Sequence, residues 1–125
     1  MDEFFAIRAL SESGAILAFG SDWPIAPPDP IEAIRAAMDG CDHDGRAVLP
    51  HGTIDAPTAL GAYTTGARLA LGMAPATLEP GGAADLVVLD RDPVTADWAH
   101  EPPKVLATIS SGRLTYDAGT LETTS

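Results

Sequence analysis

The chain has 125 residues, of which 46% are hydrophobic, so it can bury a core and is long enough for one modest domain. Its formal net charge of -11 argues against partners that are themselves negatively charged, so we expect neither nucleic-acid nor membrane binding. No apolar run approaches the ~20 residues of a membrane-spanning helix, the N-terminus is acidic, and the single cysteine, Cys41, has no partner for an internal disulfide. We therefore expect a cytoplasmic protein.

The first two predicted elements follow each other almost without a loop. Apolar residues recur at helical spacing over residues 2–13, and Gly14 can end that helix. The next stretch, Ala15 to Phe19, is apolar without alternation, and we call it the apolar run. Such a pattern predicts a strand buried on both faces, as in a parallel sheet covered by helices. A helix leading straight into a buried strand is typical of β/α units.

A single carboxylate, Asp22, follows the apolar run. Trp23 precedes Pro24, which disfavours helix and predicts an extended turn. Asp22 is thus expected just beyond the C-terminal end of a buried strand, where catalytic groups of parallel β/α proteins gather. The alternative is that Asp22 only stabilises the turn. Trp23 and Trp98 are both predicted to pack, Trp98 as a loop anchor on the later β section, because aromatic side chains bury a large area.

A second helix is predicted to begin at Pro30 and to end at Gly40. Asp29 is its expected N-cap, Pro30 occupies the first helical position, and Glu32 completes a capping-box pattern. Its predicted buried face consists of Ile31, Ile34 and Met38.

A third helix is predicted between Asp55, as N-cap, and Gly72, with Pro57 in its first turn. One of its stripes carries larger side chains, namely Leu60, Tyr63, Ala67 and Leu71. A second stripe carries small ones, namely Ala59, Ala62, Gly66 and Ala70. Small side chains let another backbone approach closely, although alanine also favours helices without any partner.

Residues 41–53, between these helices, form a predicted solvated loop. This polar loop holds five side chains of metal-binding type, namely Cys41, Asp42, His43, Asp44 and His51. Their spacing matches no zinc or calcium pattern, so a metal site there is only the alternative.

The chain changes character after Met73. A turn over residues 79–82 is followed by predicted strands over residues 85–90, 104–110 and 113–117, the last two joined by a hairpin at Ser111 and Gly112. The predicted organisation is therefore one domain over residues 1–76, a second over 77–117, and a tail over 118–125.

Four motifs occur in the order and spacing of a known family. Phe19 to Pro24, with Asp29 and Pro30 opening a helix, resembles the last barrel strand of the amidohydrolase superfamily. The chain is most similar to amidohydrolase family 3, the group of the N-substituted formamide deformylases. The other matching motifs are Ala62 to Ala67, Leu78 to Gly81 with Ala84 to Asp90, and Ile109 to Arg113.

This resemblance implies a fold. The α/β chain would be the last β/α unit of a metal-dependent-hydrolase (β/α)8 barrel, followed by part of a small C-terminal β-sandwich. Such a barrel takes about 250 residues, so the fold would be incomplete in an isolated chain.

The resemblance also implies a role for Asp22. In such enzymes the aspartate after the eighth strand binds the metal, takes a proton from the attacking water and passes it to the leaving nitrogen. The complete enzyme would use a divalent metal, for which we expect zinc, and would act on a small-molecule substrate of the amide type, such as an N-acyl or N-formyl amine.

Several family features have no counterpart here. The family's His-x-His pair, bridging lysine and further histidines are missing, and His43, His51, His100 and Lys104 do not follow a buried parallel strand. One carboxylate cannot make a hydrolytic metal site, which ordinarily needs three protein ligands. We therefore expect the isolated chain to be inactive and to bind no metal.

Three hypotheses follow from the sequence. The first is a C-terminal fragment of a hydrolase of non-peptide carbon–nitrogen bonds. The second is an interaction module in which unpaired edges of the apolar run associate with another copy, or with a chain that supplies the missing barrel. The third is an independent α/β binding domain with its site in residues 41–51.

Overall fold

A computed structural model describes residues 6–42, 44–49 and 52–119. Within these residues, helices come first and a three-stranded antiparallel sheet follows, which confirms the α/β class. The helical elements are α1 (Ile7–Glu12), α2 (Pro30–Asp39), α3 (Ala56–Gly61), a π-helical segment (Ala62–Gly66) and α4 (Ala67–Ala70). The strands are β1 (Leu86–Leu89), β2 (Val105–Ser110) and β3 (Arg113–Asp117).

Aspartate caps begin two of the helices, as predicted. The Asp29 carboxylate accepts a hydrogen bond from the backbone N–H of Ile31 at 2.9 Å, at the start of α2. The Asp55 carboxylate accepts one from the N–H of Thr58 at 3.0 Å, at the start of α3. These bonds satisfy backbone donors that a helix leaves unpaired in its first turn. Gly40 ends α2 with φ of 75°, a left-handed conformation that glycine adopts without strain.

Both ends of the chain lie partly outside the described residues. The first predicted helix is observed as α1 from Ile7 onwards, and Gly14, with φ of 84°, follows its end. Its predicted first residues, 2–5, and most of the predicted tail, 120–125, are not described. No helix in the described part of the chain is long and apolar enough to cross a membrane.

The apolar run is not a β-strand, so that prediction is wrong for the described part of the chain. A strand requires a ladder partner, and no described strand pairs with residues 15–19. Among the described residues, cover is found on one face of the run: Leu17 and Phe19 are half-buried, whereas Ile16, just before them, is 70% exposed and Ala18, between them, is exposed. The observed burial is therefore one-sided.

The third predicted helix is interrupted by the π-helical segment. The backbone N–H of Ala67 donates to the carbonyl of Ala62, a span of five residues in place of four. That carbonyl also accepts a hydrogen bond from the N–H of Phe19 at 3.0 Å. One oxygen thus serves both the helix and the apolar run. The predicted close packing of the small-residue stripe is confirmed at Ala59, Ala62 and Gly66, which are buried; its last member, Ala70, is exposed.

The main core joins the helices to the segment before β2. Its buried members are Ile34, Ala56, Ala59 and Trp98, and the predicted α2 face packs here because Ile31 and Met38 lie partly buried against them. The indole N–H of Trp98 donates to the carbonyl of Pro93 at 2.8 Å. Packing of Trp98 is confirmed, but it packs on α2 and α3, where alanines leave room for a large ring. The same prediction is wrong for Trp23, which is 68% exposed.

The sheet has the order β1-β2-β3, with both pairs antiparallel. Ser111 and Gly112 join β2 to β3 with φ of 50° and 76°, the backbone of a two-residue hairpin, which confirms this prediction. Every residue of β3 is exposed, and β2 contributes the fully buried Ala107. Strands of a second sheet, as a sandwich needs, are not among the described residues. The boundary near residue 76 stays a prediction.

Candidate functional site

The Asp22 residue lies at the head of a tight turn. Its carbonyl accepts a hydrogen bond from the N–H of Ile25 at 2.8 Å, and the intervening Trp23–Pro24 peptide bond is cis. The φ of Asp22 is 51°, in the left-handed region that aspartate tolerates better than most residues. The turn thus begins at Asp22, three residues after the apolar run ends, and the sequence predicts a turn at this place.

The side chain of Asp22 is exposed, and its carboxylate accepts no hydrogen bond from any described residue. This distinguishes it from Asp29 and Asp55, whose carboxylates cap helices. The caps are structural, and for Asp55 the bonds from Thr58 hold the pKa of the carboxyl below its usual value. A carboxylate without such a hydrogen bond can accept a proton or bind a cation. Hydrogen bonding therefore gives no support to the alternative that the Asp22 side chain only stabilises the turn.

The helices fix the run that leads to Asp22. Besides the hydrogen bond from Phe19 to Ala62, the rings of Phe19 and Tyr63 meet edge to face, with centroids 5.6 Å apart and planes at 76°. Such aromatic pairs contribute about 0.5–1.5 kcal/mol beyond their buried area. The sequence pattern places Tyr63 on an apolar stripe and indicates no partner for Phe19. The pairing depends on the π-helical segment, for which the sequence carries no recognisable signal.

An apolar cleft of about 280 Å³ lies beside the end of the run. Phe19, Gly20 and Tyr63 line one part of it, and α2 contributes Ala33 and Ala37. Burial, and then the negative charge of Asp29, raise the pKa of Tyr63, so its phenol stays protonated at neutral pH. The cleft can accommodate an apolar group, and none of the described residues that line it carries a charge.

The described residues do not complete a metal site. No group of three or more His, Cys, Asp or Glu side chains among them could hold a metal ion. In the polar loop, Asp42 accepts hydrogen bonds from the N–H groups of Asp44 and Arg46, both at 2.9 Å, so it organises a turn. His43 and His51, predicted as alternative ligands, lie outside the described residues. Asp22 alone falls short of the three ligands that a catalytic metal site ordinarily has.

The remaining histidine and the lysine belong to the β section. The His100 ring lies 2.9 Å from the Asp97 carboxylate, and this hydrogen bond lowers the pKa of Asp97. The N–H of Lys104 donates to the Asp90 carboxylate at 2.8 Å, where the Asp90–Arg91 pair already lowers the pKa of Asp90. These residues organise turns next to β1 and β2, and nothing brings them to Asp22.

Comparison with known sequences decides the family. The model of the amidohydrolase family matches residues 1–116 of the 125. The chain belongs to the amidohydrolase family. Membership agrees with the motifs that run from Phe19 to Arg113, and it places Asp22 inside the matched region.

Two curated relatives of this amidohydrolase chain cover most of it. It is 33% identical over 120 residues to Protein LONG AFTER FAR-RED 3 of Arabidopsis thaliana, covering 91% of this chain and 20% of that protein. It is 30% identical over 118 residues to N-substituted formamide deformylase of Arthrobacter pascens, covering 92% of this chain and 22% of that enzyme. The chain thus spans about a fifth of these relatives. No solved structure matches it.

Proposed function

We propose that this chain is the C-terminal part of a hydrolase that cleaves non-peptide carbon–nitrogen bonds in small amide-type substrates, such as N-acyl or N-formyl amines. The observation that carries the proposal is Asp22, an exposed carboxylate that stands three residues after the end of the apolar run and accepts no hydrogen bond from the described residues. Membership of the amidohydrolase family supports it, as does the similarity to an enzyme named for N-substituted formamides.

Asp22 would act as general base and then as general acid. Hydrolysis of an amide needs a proton removed from the attacking water and a proton delivered to the leaving nitrogen. One carboxylate can do both in turn, provided that it reaches both atoms. Asp22 would also give one ligand to a divalent metal, for which zinc is our expectation. The described residues do not supply the other ligands, and we expect these from polypeptide outside this chain.

The apolar run supports the barrel part of the proposal. The N–H groups of Ile16 and Ala18 have no hydrogen-bond partner among the described residues, and Ile16 is 70% exposed. Neighbouring parallel strands would pair these groups and would cover the exposed face. The barrel end would then comprise residues 1–76, and β1 to β3 would be part of a sandwich. We accordingly expect the isolated chain to be inactive.

A chimera tests this proposal. This chain replaces the matching section of the Arthrobacter pascens enzyme, and hydrolysis of an N-substituted formamide is measured at saturating metal. We expect the Asp22→Asn variant to lose about 10²–10⁴-fold in kcat, the usual contribution of acid–base catalysis. Asp117→Asn, the same change at the end of β3, is the matched control and should stay within twofold. An Asp22→Asn chimera as active as its parent, or metal-dependent turnover by the isolated chain, would contradict the proposal.

An interaction module is the second candidate, because the exposed face and unpaired N–H groups of the apolar run are also what an associating edge offers. The partner would be the polypeptide that supplies the missing barrel, since two copies with a net charge of -11 each repel one another. Light scattering of this chain mixed with the Arthrobacter pascens enzyme from which the matching section has been removed measures this association directly. If the two polypeptides stay separate in the mixture, this candidate is refuted.

A further inference from the structure

The apolar run touches the π-helical segment at two backbone positions, two residues apart. At the first, the carbonyl of Leu17 lies against Gly66. A Cβ atom built on Gly66 would stand 1.8 Å from the carbonyl oxygen of Leu17. At the second, the N–H of Phe19 donates to the carbonyl of Ala62 at 3.0 Å. Gly66 is buried, and its φ and ψ are ordinary helical values, so it is not needed for its backbone conformation.

We infer that Gly66 is a positioning residue for Asp22: by admitting the Leu17 carbonyl, it sets how deeply the apolar run lies against the helix and hence where Asp22 stands. The inference rests on the proposed function of Asp22. The hydrogen bond at Phe19 fixes the run along its own axis, and the close approach at Gly66 fixes its distance from the helix. The two contacts together leave the run little freedom to slide.

The size of the effect follows from the approach distance. Real Cβ atoms essentially never come within 3.0 Å of such an atom, so an alanine at residue 66 must separate helix and run by at least 1.2 Å. The neighbour is a backbone oxygen and cannot rotate away. Asp22 is only five residues further along the chain than Leu17, so we expect the displacement to reach it. A misplacement of about 1 Å in a catalytic group can cost on the order of 10²-fold in rate.

Gly61 provides a matched control in the same helical stretch. A Cβ added there meets nothing within 4 Å, and its backbone is also helical. Gly61→Ala and Gly66→Ala therefore make the same change in helix propensity, while only the second forces the run away. A difference in behaviour between the two variants is therefore due to the contact with the Leu17 carbonyl and not to the loss of a glycine.

The experiment begins with amide hydrogen exchange of the isolated chain, followed by NMR. In the wild-type chain we expect the Phe19 amide to exchange at least 10-fold more slowly than those of Ile16 and Ala18. In Gly66→Ala this protection should be lost and the amide shifts of the turn over residues 22–25 should change, while α2 resonances stay in place. In Gly61→Ala both should match the wild type. Equal exchange of the three wild-type amides overturns the inference, whether or not Gly66→Ala folds.

The chimera separates this inference from the proposed function. There, Gly66→Ala should lower kcat about 10–100-fold with KM within about twofold, because the substrate still binds while Asp22 is displaced. If Gly66 were needed only for folding, Gly66→Ala would reduce the amount of active enzyme and leave kcat per active site unchanged. Active-site titration measures that amount and separates the two effects. If Asp22→Asn is inactive and Gly66→Ala keeps full kcat, the positioning role is refuted. If Gly66→Ala shifts the turn and Asp22→Asn stays active, the proposed function has failed instead.

Discussion

Replacing Trp98 by alanine should remove a large share of the stability of the chain. The side chain is 3% exposed, packs with Ile34, Ala56 and Ala59, and donates its indole N–H to Pro93 at 2.8 Å. A tryptophan buries about 150–250 Å², worth about 4–6 kcal/mol at ~25 cal/mol per Å², and measured Trp→Ala changes in cores cost about 3–5 kcal/mol. We expect a loss of about 3–5 kcal/mol, against about 5–15 kcal/mol for the whole stability of a typical domain.

Trp23→Ala is the matched control, because this tryptophan is 68% exposed. Its free energy of unfolding should lie within about 0.5 kcal/mol of the wild type, as for most surface substitutions. Trp98→Phe should fall between, at about 1–2 kcal/mol, because it keeps a ring but leaves the Pro93 carbonyl without its donor. Urea unfolding followed by far-UV circular dichroism measures all three without relying on tryptophan fluorescence. If Trp98→Ala and Trp23→Ala cost the same, the bridging role of Trp98 is refuted.

Three further predictions concern the helices. Gly61→Ala should raise the free energy of unfolding by up to about 1 kcal/mol, since helix propensity improves and the new methyl group meets nothing; a lowered urea midpoint would contradict this. Asp29→Ala should cost about 1 kcal/mol, and Asp29→Asn clearly less, because asparagine can still cap α2. Asp55 has a lowered pKa in the folded chain, so its contribution is present above the unfolded pKa of about 3.9 and is lost as the pH falls through the folded value. Between pH 6 and pH 3 the urea midpoint of Asp55→Asn should therefore fall less than that of the wild type, and equal falls would show that this cap does not titrate with folding.

Local signals were enough to predict much of the fold. The caps at Asp29 and Asp55 use a side chain and a backbone donor two or three residues apart, so the sequence contains both partners. The hairpin at Ser111 and Gly112 is equally local, since its backbone depends on those two residues. The position of Asp22 after the apolar run is likewise visible in the sequence, and in the structure Asp22 begins a tight turn there.

Features that depend on distant partners could not be predicted in the same way. The π-helical segment forms where the carbonyl of Ala62 meets the N–H of Phe19, which is 43 positions earlier in the sequence. The position of Trp98 is another case, because its ring fills space that the small residues of α3 leave open. Neither partner can be inferred from the residues around Ala62 or Trp98.

The apolar run shows how a sequence can encode more burial than the described residues provide. All four side chains of residues 16–19 are apolar, yet among the described residues Leu17 and Phe19 are half-buried while Ile16 and Ala18 are exposed. Burying an aliphatic side chain fully contributes about 1.5–3 kcal/mol to folding. Apolar side chains on both faces of a segment therefore stabilise the fold only where both faces are buried. The barrel that we propose would cover the exposed face of the run with a sheet that other polypeptide completes. In that sheet Asp22 would stand at the strand end, held there by Gly66 and Ala62.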